Sequence, residues 1–261
     1  MEAPTHAQQI EQSFTRQAPA FEDASSNRPF TADASWMLDG LPVAPGAVVL
    51  DVAAGTAQVA RRLAGRAGAV IALDATPAML AAGQAAAAAE GLRNVVFMRG
   101  EATALPFLDA SFDVVVSRFA AHHLEFPGGL VAEMARCARP GGQVALLDLV
   151  AVDDPAIATE QNRLERLRDA SHTTMLSVAE LEALCVAAGL ELAGVTARGV
   201  RRPLQPWLEH SAVTPAVATE IRVRLQAELD GGEPTGLRPE REDGELWFTQ
   251  TFAALIARRP A

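Results

Sequence analysis

The 261-residue chain contains no lysine and no tyrosine, so all 22 of its basic residues are arginine. Without an ε-amino group it cannot form an enzyme Schiff base, which excludes pyridoxal-type chemistry, and without a phenol it lacks one of the usual proton-transfer groups. A GC-rich coding sequence accounts for the skew, and no function is drawn from it. Cysteine is nearly absent: Cys137 and Cys185 are too few for a disulfide framework or a cysteine-built zinc site and read as reduced core thiols. The five histidines show no HxH or HExxH spacing, so no metal site is expected. Positive charge is in deficit, with a net charge of −10, so no domain-wide basic field exists to hold nucleic acid. No apolar stretch is long enough to span a membrane, and the N-terminus lacks a basic segment followed by an apolar one. The cytoplasm is therefore the default location.

What is present is a globular composition, 49% hydrophobic and 21% charged, at a length suited to one decorated α/β domain. Apolar, β-branched runs at 47–51, 69–74, 95–98, 112–117 and 143–149 read as buried strands. Between them, 57–66, 77–90 and 127–138 have helical features, with Pro77 and Pro127 at first turns. Such alternation implies parallel βαβ units, with ligands bound at the carboxyl ends of the strands. Beyond Asp148 the pattern changes. Residues 155–168 form a charged helix, Ser177 and Glu180 have the spacing of a capping box for 177–188, and 204–230 reads as helix before a Gly/Pro/Glu-rich loop at 231–244. Strand-like runs occupy 190–200 and 245–258. Residues 1–40, with Phe14, Phe21, Phe30 and Trp36, form an amphipathic cap expected over the sheet edge.

The string VVLDVAAGTAQVA at 48–60 places Asp51 at a strand end, followed by small residues, Gly55 and a helix start, so a ligand can approach the backbone. Asp74 ends the next strand, where a carboxylate can accept both hydroxyls of a ribose. A dinucleotide fingerprint would need three glycines, and this chain has Ala53, Gly55 and Gln58. Asp51 would repel a phosphate and favours an ammonium group, as on a zwitterionic amino-acid tail.

With these motifs in order, the chain resembles a class I S-adenosylmethionine-dependent methyltransferase of the UbiE-like type. VLDVAAGTA resembles the glycine-rich first motif, IALDATPAML the ribose motif, GEATALPFLDASFDVVVSRFAAHHL the adenine and fourth-strand region, and EMARCARPGGQVALLD the turn into the fifth strand. The resemblance implies a Rossmann-like, seven-stranded mixed sheet with helices on both faces, an N-terminal helical cap over 1–44, a cofactor core over 45–150 and a C-terminal part, 151–261, that completes the sheet. Lid helices are expected at about 155–175 and 204–240, as an insertion before the last strand. Carried over by position, it implies Asp51 and Gly55 near the methionine moiety, Asp74 and Ala75 at the ribose, and Met79, Glu101 and Ala102 at the adenine. Ser117 and Arg118 would lie near the sulfonium. Ala57 stands where the family has glycine, Glu101 where aspartate is common and Phe21 where a tyrosine is found, and Ala57 is expected to narrow the loop.

For proton removal the candidates are His122, His123 and His172, with Asp148 as a fourth, because histidine at a strand's carboxyl end titrates near neutrality. Arg168 and Asp169 could orient an anionic or carbonyl acceptor, or 163–169 could be a solvated helical face. Phe14, Phe21, Arg168 and Trp207 are the candidate acceptor contacts, and His6 and His210 receive no role. The expected activity is methyl transfer to a small-molecule acceptor, a quinone-like compound or secondary metabolite of a bacterium. The alternative is a cyclase or other tailoring enzyme on the same fold. Expected partners are the acceptor and a second copy of the chain in a homodimer.

Overall fold

In the computed structural model, which describes residues 5–22, 34–211 and 213–261, an eight-stranded sheet organises the chain. Its strands are β1 (Val48–Val52), β2 (Ala69–Asp74), β3 (Val95–Arg99), β4 (Phe112–Arg118), β5 (Ala138–Val150), β6 (Glu191–Pro203), β7 (Glu240–Glu242) and β8 (Glu245–Arg258). The order is β3-β2-β1-β4-β5-β8-β6, with β7 paired to β8. Strands β1 to β5 pair in parallel, whereas β8 runs antiparallel to both β5 and β6. The chain runs outward from β1 to β2 and β3, then returns to place β4 on the other side of β1. That reversal opens a crevice beyond the carboxyl ends of β1 and β4.

Successive side chains along each strand alternate between two cores. Val49, Val116 and Leu147 face one core with Leu63 of α2 (Gln58–Ala64); Leu50, Val115 and Leu146 face the other with Leu130 and Met134 of α4 (Pro127–Cys137) and Leu181 of α6 (Val178–Ala187). Between β2 and β3 lies α3 (Pro77–Ala89), and helix α1 (His6–Phe21) packs against it. Thus α1 lies over the crevice, not over the sheet edge that the amphipathic pattern suggested. Phe30, also assigned to that cap, lies outside the described residues.

A third core joins Leu164 of α5 (Pro155–Arg168), Trp207 and Leu208 of α7 (Leu204–His210), Ile221 and Leu225 of α8 (Pro215–Leu229), and Phe248 of β8. The run at 204–230 is therefore two helices. Thr214 accepts from Val217 N at 3.3 Å and Pro215 occupies the first turn of α8, so a new helix starts there. The 231–244 loop contains the short β7. The capping box forms as spaced: Glu180 N donates to Ser177 Oγ at 3.2 Å and Ser177 N donates to Glu180 Oε2 at 2.7 Å. Among the described residues, no helix is long and apolar enough to cross a membrane.

Candidate active site

A cavity of about 490 Å³ fills the crevice, roofed by α1. Its first half is built by the strand-end carboxylates. Asp51 is buried, and its Oδ2 accepts from Ala60 N in the first turn of α2 at 2.9 Å. Burial pushes this carboxyl up to about 7 against the pull of the Ala60 N–H and the Arg118 guanidinium. Asp74 accepts from Gly55 N and from Thr76 N, each at 2.8 Å, and so ties the loop after β1 to the end of β2. Burial raises its pKa as well, opposed by those same N–H groups.

The loop between β1 and α2 turns through left-handed backbone at Ala53 (φ 54°), Gly55 (φ 56°) and Ala57 (φ 58°). A side chain at Gly55 would point into open space on the cavity wall, so the glycine leaves the backbone bare to a ligand. Gly83 of α3 is needed for a different reason: a Cβ there would stand 2.6 Å from Thr56 O, so only glycine lets the loop rest on the helix. Ala57 corrects an expectation. It adopts the conformation a glycine would and is fully buried away from the cavity, so it does not narrow the loop. Across the crevice, Arg118 Nη2 donates to Gln58 Oε1 at 2.8 Å, and Gln58 Nε2 donates to Phe21 O at 3.1 Å, linking the β4 end to α1. Burial lowers the Arg118 pKa to about 10, with Asp51 opposing.

The second half is assembled from segments distant in sequence. His122 sits in a single helical turn after β4, and its Nδ1 lies 2.5 Å from Asp148 Oδ1 on β5. The His123 ring stacks beside it at 4.1 Å, and its Nδ1 meets Ser171 O at 3.0 Å. Burial, then His122, lowers His123 to about 4. Asp169 accepts from Ser13 Oγ (3.3 Å) and Gln17 Nε2 (3.4 Å) of α1 and from Ser171 Oγ (2.6 Å). Burial works against its ionised form, yet Arg168, His123 and Ser171 outweigh it and hold the carboxylate well below its ordinary range. Arg168 donates through Nε to Glu165 (3.2 Å) and through Nη1 to Ser211 (2.6 Å), and stacks over Trp207 at 4.8 Å. Phe14 and Phe21 complete the wall, edge-on to His123 (5.0 Å) and tilted against His210 (5.6 Å).

Most of the residues singled out from sequence line this one cavity: Phe14, Phe21, Asp51, Gly55, Asp74, Ala75, Met79, Glu101, Ala102, Arg118, His122, His123 and Arg168. Four do not: Ser117 is buried, Asp148 meets His122 without reaching the cavity, Trp207 lies under Arg168, and His172 turns away to Asn162 Oδ1 (2.9 Å). The charged run at 163–169 is only half a solvated face, because Glu165, Arg168 and Asp169 are buried. Gln58, His6 and His210 line the cavity without having been assigned a role. Nothing in their local spacing marks them, since each is placed by packing against α1, α2 or α7.

The first half fits S-adenosylmethionine. Each Asp74 oxygen spends one acceptor site on the backbone and keeps capacity for a ribose hydroxyl, Gly55 leaves a bare wall, and the buried Thr56 Oγ1 has no hydrogen-bond partner among the described residues.

Residues 50–146 match the model of a methyltransferase domain. The uncharacterized methyltransferase YcgJ of Bacillus subtilis is 38% identical over 136 residues, 52% of this chain and 54% of that protein. The uncharacterized protein YafE of Escherichia coli is 30% identical over 159 residues, 61% of this chain and 77% of its own length. A demethylmenaquinone methyltransferase from Renibacterium salmoninarum is 37% identical over 112 residues, 43% of this chain and 45% of that enzyme. The matches thus span about half the length of YcgJ and of the Renibacterium enzyme. In three dimensions the crystal structure of YcgJ superposes with a TM-score of 0.79 at 25% identity, over 88% of this chain and 99% of YcgJ. The [4+2]-cyclase SpnF superposes at 0.72 and 17% identity, over 100% and 98%, a likeness of fold alone. The sheet order, the strand-end carboxylates and these relatives agree, and the chain belongs to the class I S-adenosylmethionine-dependent methyltransferases of the UbiE-like type.

Proposed function

We propose that this chain transfers the methyl group of S-adenosylmethionine to a small, largely apolar acceptor of aromatic, quinone-like or polyketide-like kind. One observation carries the reading: the strand-end carboxylates and the histidine-rich end share a single cavity, so a cofactor and an acceptor can lie end to end. When bound, the cofactor supplies an electrophilic methyl group on a sulfonium and a neutral thioether as leaving group. Asp74 accepts the ribose hydroxyls, Met79 and Ala102 flank the adenine, and Asp51 with Arg118 offers one charge of each sign to the amino-acid end. Phe14 and Phe21 hold the acceptor under α1, with residues of 155–175 and 204–211 closing the far side and excluding water. The Renibacterium relative supports a quinone-like acceptor. The cyclase alternative stays as the second reading, supported by the likeness of fold to SpnF and not by Ala57, which is buried away from the cavity.

Titration calorimetry with S-adenosylmethionine and S-adenosylhomocysteine tests the cofactor half. Micromolar binding by the native chain, lost in Asp74→Ala, is expected; absence of binding by the native chain overturns the reading. Mass spectrometry of candidate acceptors then separates methyl transfer, a gain of one CH₂, from an isomerisation that leaves the cofactor unconsumed.

A further inference from the structure

Three histidines cluster at the acceptor end, with the ring of His122 centred 4.1 Å from His123 and 5.4 Å from His172, yet their surroundings differ in kind. His172 Nε2 is taken by Asn162 Oδ1, and His172 does not reach the cavity. His123 gives its Nδ1 to a backbone carbonyl, which cannot compensate a positive ring. Among the described residues, only His122 of the three has a carboxylate on its ring. Asp148 Oδ1 faces Nδ1, while the same carboxylate accepts from Leu149 N at 2.7 Å and from His122 N at 3.3 Å and so cannot swing away. A carboxylate accepts hydrogen bonds, so Nδ1 carries the proton and Nε2 keeps a lone pair on a residue that lines the cavity. No described residue hydrogen-bonds that Nε2.

Charge bookkeeping points the same way. From His122 a chain of contacts runs through His123, Ser171, Asp169, Arg168, Glu165 and Gln250 to the buried Arg202. Asp148, Glu165 and Asp169 are the acids of this chain and Arg168 and Arg202 its guanidiniums, so acids outnumber guanidiniums by one. This surplus of acid faces the positive charge that His122 takes up only when a proton is transferred to it. Other titratable groups around it are His123 on its own turn, His172 and Asp169 on the segment after α5, and His6 of α1, whose Nε2 meets His123 O at 2.7 Å.

Resting on the methyltransferase reading, we propose that His122 is the general base of this site, that Asp148 is the residue that positions it, and that the acceptor enters uncharged, carrying an O–H on a planar ring or enol. The acceptor proton passes to His122 Nε2. The electron pair it leaves forms the new bond to the methyl carbon as the carbon–sulfur bond breaks, its electrons staying on sulfur, and the imidazolium later releases its proton to solvent. The positive charge thus moves from sulfonium to imidazolium and the closed site keeps its net charge. A carboxylate or phosphate acceptor would need no base and would meet an excess of acid.

Nitrogen-15 NMR of the full chain with S-adenosylhomocysteine reads the arrangement whatever the natural acceptor is. His122 in the Nδ1–H form, with a downfield hydrogen-bonded proton that disappears in Asp148→Asn, is expected; an Nε2–H form, or a proton indifferent to Asp148→Asn, overturns the proposal. Calorimetry on His122→Asn should leave S-adenosylhomocysteine affinity within about threefold of the native chain, and failure of the native chain to bind at all overturns the methyltransferase reading instead. With 1-naphthol as probe and benzoate as charged control, His122→Asn should lower kcat by about 100-fold or more at nearly constant KM. The residual rate should climb in proportion to hydroxide as the probe ionises itself. Faster methylation of benzoate, or an unchanged kcat in His122→Asn, overturns the assignment.

Discussion

The two halves of the cavity are built by opposite means. The cofactor half is local: Asp51, the loop at 53–57 and Asp74 lie within one βαβ unit, held by backbone N–H groups that the turn itself presents. The acceptor half draws on α1, the turn after β4, the end of β5, the segment after α5 and α7, held side chain to side chain by buried charges. Both halves bury ionisable groups, but the first also stores cost in backbone, as left-handed alanines, and meets its carboxylates with N–H groups, whereas the second pairs side-chain ions with one another. A site of the first kind can be reused for one cofactor while the second is rebuilt for each acceptor.

That contrast can be broken most severely at Asp169. Its removal strips Arg168 of a buried partner and α1 of its contacts through Ser13 and Gln17, so Asp169→Ala should cost about 3 kcal/mol in urea unfolding. An unchanged midpoint would show that α1 is held otherwise. In the other half, Asp74→Asn should weaken S-adenosylmethionine by about 100-fold by calorimetry, the worth of two charge-assisted hydrogen bonds, and should spare folding more than Asp169→Ala does.

The halves should also answer pH with opposite signs. Asp51, raised from 3.8 to about 7, contributes stability that is present below its unfolded pKa and is lost as pH rises through about 7. His123 and His210, lowered from 6.5 to about 4 by burial first, contribute stability that is present above pH 6.5 and is lost as pH falls through about 4. Thermal melts of the free protein should show Asp51→Asn flattening the first slope and His210→Gln the second; either variant flattening both would dissolve the distinction. Cofactor binding should tighten as pH rises through about 7, because its ammonium group favours ionised Asp51, and Asp51→Asn should abolish that trend. The smallest effect is expected at Ala57, where Ala57→Gly relieves the left-handed strain and should stabilise by ~0.5 kcal/mol, read as a small rise in Tm.

Legibility followed the same division. The parallel strands and α2 to α4 were readable from apolar runs and Pro-marked first turns to within a few residues, since hydrophobic periodicity fixes each element locally. The placement of Asp51, Gly55 and Asp74 at the crevice was readable because it depends on neighbours in one turn. Gln58 and His210 were not, because only the packing of α1 onto the crevice and of α7 beside Arg168 gives them a place. The separate helix starting at Pro215 was not read from the run at 204–230, although Thr214-Pro215 signals a helix start.

The sequence by itself therefore determined the sheet, the loop after β1 and the strand-end carboxylates proposed to hold the cofactor, because each depends on residues a few positions apart. Only the tertiary structure decided which histidine meets Asp148, that Trp207 and His172 stand behind the cavity wall, and that Arg168 and Asp169 are interior charges. Those outcomes depend on burial and on side chains brought together from across the chain, quantities that no local pattern encodes.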